Sequence, residues 1–237
     1  MRSFKSRELA GLLIGSTTLL VSLSPYPLFY LAILCLSLLV GLEVSRAVGL
    51  KAFYVAPLTF FFASLAPELG FISLLLLSLY VGWRSWSMED FLKALLVSLY
   101  GGFLFLFLLQ LKSMGDYALL KLLLFVWAVD VFSYYSGKKF GRRWMAPRLS
   151  PKKTWEGLLG GVLAGSLALL LLHGQKGLLW SPLLVSGAVF GDLFKSFIKR
   201  QVGIKDFSGV LGEHGGFTDR FDSLLFTAPL YLFLLKF

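Results

Sequence analysis

Apolar residues run along the chain in long blocks, and polar residues gather at the joints between them. Stretches rich in Leu, Phe, Val and Ala centre on residues 9–23, 28–42, 52–66, 69–83, 91–111, 117–136, 157–172, 178–194 and 221–236. A helix needs about 20 apolar residues to cross the hydrocarbon core, with a lower limit of about 17. Several blocks are short, so flanking aromatics and snorkelling basic side chains must complete them. The pattern predicts an all-α, polytopic membrane bundle of about nine transmembrane helices, although the pairs 9–42 and 52–83 also admit another division.

Basic residues test that count independently, because Lys and Arg collect on the cytoplasmic side of membrane proteins. With the N-terminus inside, the cytoplasmic segments take Arg2, Lys5, Arg7, Arg46, Lys51, Arg84, the seven basic residues from Lys138 to Lys153, and Lys195, Lys199, Arg200, Lys205 and Arg220. That is 18 of the 23 basic residues. The other side takes only Lys112, Lys176 and Lys236, with Lys93 and Lys121 inside spans. A wrong count would scramble this alternation, so nine spans with the N-terminus cytoplasmic is the expectation.

Composition narrows the class. Hydrophobic residues make up 57% of the 237 and charged residues 15%, against about 25% charged in a soluble domain. The single cysteine, Cys35, excludes an intrachain disulfide and a cysteine metal cluster. Net charge is +10, yet no soluble basic segment is long enough for a nucleic-acid-binding domain, so no nucleic-acid partner is expected. Anionic lipid headgroups or a phosphorylated substrate account for the excess better. The start, with Arg2, Lys5 and Arg7 before an apolar run, has the outline of a signal peptide. It lacks a small-residue cleavage site and is read as a retained first helix.

Polar chemistry divides the chain. Residues 1–116 are read as N-terminal transmembrane helices; their acidic residues (Glu8, Glu43, Glu68, Glu89, Asp90, Asp116) fall nearly all at predicted helix ends, and their spacing suggests no site. Residues 117–237 hold two polar loops, 137–156 and 195–220, and ionisable groups within helices. No repeat or linker separates the halves, so one membrane domain is expected, with a C-terminal catalytic region.

Asp130, in "FVWAVDVFSYY", is deep in an apolar span, where a carboxylate is expensive and marks either a site or a pair with a loop lysine or backbone amide. Asp192, Ser196 and Lys199 stack on one helical face, with Lys195 at its edge. That stripe can hold a metal and touch a phosphate, or Asp192 and Lys195 can form an ordinary i,i+3 salt bridge. Asp219 and Asp222 stand three apart at the start of the last helix, as metal ligands or as N-terminal caps. Carboxylate oxygens without Cys and with little His favour a hard cation such as Mg2+, and a helix N-terminus suits an accompanying anion. Gly215 and Gly216 would let backbone amides approach that anion, or simply form a turn. His214 is open between phosphate donor, proton carrier and plain loop residue. The loop "GKKFGRRWMAPRLSPKKTWEG" carries Lys138, Lys139, Arg142, Arg143, Arg148, Lys152 and Lys153 with the hydroxyls of Ser150 and Thr154. It reads as a solvated basic loop or as a phosphate-binding one.

The stretch "SFIKRQVGIKDFSGVLGEHGGFTDRFDS" closely resembles the signature of the CTP:phosphatidate cytidylyltransferases, also called CDP-diacylglycerol synthases. Ser196, Ile198, Lys199, Arg200, Lys205, Asp206, Ser208, Leu211, His214, Gly215, Gly216, Asp219, Arg220 and Asp222 meet the pattern. Gly212 stands where many relatives have proline. "SPKKTWEG" at 150–157 and "DVFSYYSGKKFG" at 130–141 also look like the family, with Ser133 where relatives often have a smaller residue. The specific match covers about 130–223.

The resemblance implies conversion of phosphatidate and CTP to CDP-diacylglycerol and pyrophosphate, in phospholipid biosynthesis. It implies Mg2+ dependence, a second monovalent cation such as K+ in some members, a membrane homodimer, and an inner-membrane enzyme whose site faces the cytoplasm. By it Asp192 and Asp219 act at the metal centre, with Asp222 assisting and Asp130 as a further candidate ligand. Lys199, Arg200, Lys205 and Arg220 would hold phosphates, with Asp206, Ser196, Gly215 and Gly216 beside them, His214 would donate a hydrogen bond, and Ser150, Lys152, Lys153 and Thr154 would close over substrate. The rival readings are a secondary transporter, with Asp130 and Asp192 as ion sites, and another lipid-phosphate enzyme. No inverted repeat supports the first, and no glycine-rich span with several aspartates supports the second.

Overall fold

The computed structural model describes residues 2–212 and 215–237, and the side chains of these except 2–10, 12 and 116. His214 and the side chains of Arg2, Lys5 and Arg7 therefore lie outside the described residues. The helices are α1 (Arg2–Leu23), α2 (Tyr26–Ala47), α3 (Val55–Leu65), α4 (Pro67–Ser85), α5 (Met88–Gly101), α6 (Leu106–Ser113), α7 (Asp116–Phe140), α8 (Trp155–Gln201) and α9 (Thr218–Lys236). A short 3-10 turn, Phe103–Phe105, joins α5 to α6. The architecture is all-α, and each apolar block in the sequence falls on helix. Among the described residues four segments are long and apolar enough to cross a membrane: Tyr26–Ala47, Met88–Ser113, Tyr117–Phe140 and Trp155–Gln201. Many large apolar side chains on these helices face outward, Leu31, Leu92, Phe132, Leu163 and Leu179 among them. A lipid surround removes the penalty for that exposure, and the chain is an integral membrane protein.

A straight helix the length of α8 would reach about 70 Å, more than twice the hydrocarbon thickness of about 30 Å. It folds back instead at Gly174, whose φ of 65° and ψ of −150° are open only to glycine. Ser166 Oγ donates to Ser181 Oγ at 2.9 Å, a contact that residues 15 apart on a continuous helix could not make. The two arms of α8 correspond to the separate blocks 157–172 and 178–194.

The basic segment 137–156, read as a polar loop, holds regular structure. It forms a two-stranded antiparallel hairpin, β1 (Trp144–Ala146) and β2 (Ser150–Thr154), with Ala146 opposite Ser150 and Trp144 opposite Thr154. Leu149 N–H donates to Ala146 O at 3.1 Å and closes the turn. Thr154 Oγ1 then accepts the Gly157 N–H at 3.1 Å and caps α8, while Glu156 Oε2 accepts the N–H groups of Arg142 (3.0 Å) and Arg143 (3.3 Å).

The chain forms two compact units: Met1–Asp116 with Val202–Phe221, and Tyr117–Gln201 with Asp222–Phe237. In the first, α2, α3, α4 and α5 pack around buried Val40, Val44, Phe60, Val97 and Tyr100. Gly41, Ala56 and Gly101 meet there, with backbone close to backbone, which is how membrane helices pack without a hydrophobic drive between them. In the second, Phe125, Val129, Leu169, Leu184, Val185, Leu225 and Tyr231 are buried.

Candidate active site

Gly187 and Gly191 lie four residues apart and so share one face of α8. A Cβ on Gly191 would sit 2.5 Å from Asp222 O, and one on Gly187 would sit 2.6 Å from Leu230 Cδ1. The missing side chains let α9 lie directly against α8, and that approach brings two carboxylates onto one lysine. Lys195 Nζ is 3.0 Å from Asp192 Oδ1 and 2.7 Å from Asp222 Oδ2. Lys153, at the end of the hairpin, pairs with the other oxygen of Asp192. Asp130, on α7, lies in the electrostatic field of Asp192, Asp222, Lys153 and Lys195. Two carboxylates and two ammonium groups therefore form one network, with the Asp130 carboxylate in its field.

Burial gives this cluster its weight. The side chains of Lys195 and Asp222 are 11% and 6% exposed, so neither charge is offset by bulk water, whereas Lys153 and Asp192 keep more access. The i,i+3 pair of Asp192 and Lys195 exists, but it is one edge of a larger network and not an isolated helix-end bridge. Lys195, left at the margin in the sequence, is its hub; the signal for it was its three-residue spacing from Asp192.

Exchanging Gly191 for Val is expected to push α9 off α8, because the rigid Asp222 backbone meets the new side chain. Overpacking of this kind costs about 1–3 kcal/mol, and it would separate Asp222 from Lys195. A lowered melting temperature in detergent together with loss of turnover is the expected result; a variant as stable and active as the parent would show that the close approach is unnecessary.

Other residues singled out by sequence are spread around this unit. Ser196 donates its hydroxyl to Asp192 O at 2.8 Å, within its own helix. Arg200 Nε donates to Leu149 O at 3.3 Å, tying the exposed end of α8 to the hairpin turn. Lys152 is exposed on β2, Ser150 is half-buried opposite Ala146, and Thr154 is buried by its capping role. Lys199 is half-buried near the end of α8.

The first unit holds the rest. Asp219, buried at the start of α9, accepts the N–H groups of Phe207 (3.0 Å) and Gly216 (3.1 Å) on Oδ2. Gly215 has a φ of 77°, and a Cβ there would stand 2.8 Å from the same oxygen. Gly215 N–H donates to Gly212 O at 3.2 Å. Of the two readings of these glycines, amides offered to an anion or a plain turn, the contacts show the turn: both amides are used within it, and the missing side chains admit carboxylates. Lys205, Asp206 and Arg220 are exposed. Glu43, which its spacing did not mark, accepts four hydrogen bonds from Ser208, Phe217 and Thr218.

As a cation site, the donors at Asp130, Asp192 and Asp222 are oxygen only, which suits a hard ion. Among the described residues no three of His, Cys, Asp and Glu form a ready cage. Mg2+ needs none, since it binds one or two carboxylates and completes its shell with water and substrate phosphates. The residues present fit the ion.

Comparison with known proteins supports one lineage. Residues 7–237 match the model of the cytidylyltransferase family. A phosphatidate cytidylyltransferase of Aquifex aeolicus is 47% identical over 234 residues, covering 97% of this chain and 90% of the relative. Proteins of the same name from Pseudomonas aeruginosa and Haemophilus influenzae are 43% and 37% identical over 144 and 129 residues. Those two alignments take in 55% and 49% of this chain and 51% and 45% of the relatives. With nearly the whole chain matched, charged cluster and knitted loop included, this protein belongs to the cytidylyltransferase family.

Proposed function

We propose that the protein is a phosphatidate cytidylyltransferase, joining CTP and phosphatidate to give CDP-diacylglycerol and pyrophosphate. The observation that carries this reading is the 47% identity to the Aquifex relative across 97% of the chain. The reaction is an in-line attack by a phosphatidate phosphate oxygen on the α-phosphorus of CTP. The bond from the α-phosphorus to the bridging oxygen of the β-phosphate breaks, and pyrophosphate leaves. The nucleophile is already ionised near neutral pH, so no general base is required; positioning and charge neutralisation supply the catalysis.

Mg2+ would be held by Asp192 and Asp222, with Asp130 beside them and Asp219 added by the resemblance of the signature. Bound there, it would supply positive charge to offset that of the triphosphate and the pyrophosphate leaving group. Lys195 orients both Asp192 and Asp222 through its ion pairs, and Lys153 orients Asp192. Exposed Lys152, Arg200, Lys205 and Arg220, with Lys199, hold phosphates as charged donors. A second, monovalent cation such as K+ and a homodimeric state complete the reading.

The topology follows from the basic residues: nine spans with the N-terminus in the cytoplasm, in the inner membrane, with the reaction at the cytoplasmic face. CTP arrives from water, and phosphatidate enters from the inner leaflet with its acyl chains still in lipid. Purified protein given CTP, phosphatidate and Mg2+ is expected to form CDP-diacylglycerol, detected by mass spectrometry, with one pyrophosphate per product. No product under conditions that keep the protein folded would overturn the assignment.

A further inference from the structure

Glu43 is near the end of α2, in the half of the chain where spacing pointed to no site. Its side chain is buried, and each of its oxygens accepts two hydrogen bonds. Ser208 Oγ (2.6 Å) and Phe217 N–H (3.0 Å) donate to Oε1. Thr218 N–H (2.8 Å) and Thr218 Oγ1 (2.7 Å) donate to Oε2. All four donors belong to the polar segment between α8 and the first residue of α9. Gly216 makes the room, because a Cβ there would lie 2.5 Å from Oε1.

Chemistry narrows what this carboxylate does. The first N–H groups of a helix have no partner within it and form the positive end of its dipole. Such a terminus usually invites an anion. Here Glu43 already occupies that place, so the start of α9 is an anchored point. A carboxylate can accept on both oxygens, whereas an amide of the same shape would turn its own NH2 toward two donors. Asp219 binds the same segment through Phe207 and Gly216, so the two carboxylates hold it at residues 207–208 and 216–218.

We infer that Glu43 is a positioning residue for the signature segment: it fixes the backbone from which Lys205, Asp206, Asp219 and Arg220 project. For its activity readout this rests on the reaction proposed above; for its structural readout it does not. A misplacement of about 1 Å costs on the order of a hundredfold in rate. Glu43→Gln is therefore expected to raise the KM for CTP about tenfold or more and to lower kcat. Amide hydrogen exchange at Phe217 and Thr218 should quicken in the same variant. Glu43→Asp keeps the charge on a shorter stem and should recover part of both losses. Ser208→Ala should weaken CTP use in the parent protein and have no further effect in Glu43→Gln, since residues in one network are coupled.

A purely structural glutamate would behave differently. Its loss would reduce the folded fraction and the melting temperature while the surviving enzyme kept the parent KM; that result would overturn the inference. Parent-like exchange at Phe217 and Thr218 in Glu43→Gln would also overturn it. If Glu43→Gln does not fold, Ser208→Ala and Thr218→Val each remove one donor, and a parent-like KM for CTP in both would refute the assignment. If the parent protein makes no CDP-diacylglycerol, the reaction reading fails alone, and the exchange measurement decides whether Glu43 holds the segment.

Discussion

Lys195→Met is expected to be among the most damaging single substitutions in the protein. The methionine fills similar space but leaves Asp222 buried and Asp192 half-buried without the ammonium that both face at 3.0 Å or less. Removing one partner from a buried charge network costs about 3–5 kcal/mol, because the remaining charge cannot recover its hydration. Lys153 still pairs with Asp192, so most of the loss falls on Asp222. Thermal unfolding in detergent should show the destabilisation, and CTP turnover should fall by at least about a hundredfold with the carboxylates disordered. The combination with Asp222→Asn removes the stranded charge and should be less destabilised than the two single losses added together. Full additivity, or a parent-like melting temperature for Lys195→Met, would mean that the ion pair does not carry the cluster.

Asp219→Asn separates shape from charge. The asparagine oxygen can still accept the N–H groups of Phe207 and Gly216, so the turn should survive. The lost negative charge would remove any metal-binding role, and turnover should drop by about a hundredfold or more. Asp219→Ala removes both functions, and faster hydrogen exchange at Phe207 and Gly216 should then accompany the lost activity. Near-normal turnover in Asp219→Asn would take this carboxylate out of the metal centre and leave it as a brace for the loop. Comparing the two variants therefore divides one residue's work between folding and chemistry.

Much of the fold was legible from one-dimensional pattern. Each apolar block corresponds to helix because a chain in lipid must satisfy its own backbone hydrogen bonds, and helices do so locally. The hairpin inside the basic loop was not foreseen. Its strands are three and five residues long, too short for an alternating pattern to register, and its closing contacts run from Arg200 and Glu156. The i,i+3 pair of Asp192 and Lys195 was readable because helical periodicity is local. The role of Gly187 and Gly191 was not, since a small residue declares nothing until its neighbour is known.

The sequence by itself determined a helical membrane protein, the positions of its helices, and a family signature rich in carboxylates and basic groups. Those features depend on composition, on the 3.6-residue period, and on motif spacing within one stretch of chain. Tertiary structure decided which charges meet. It made Lys195 the centre of a cluster and drew in Lys153 from the hairpin. It also set Glu43 against donors 165 and more residues away. Contacts over such separations follow from how helices stack, and helix stacking is settled by shape complementarity between side chains that no single segment contains.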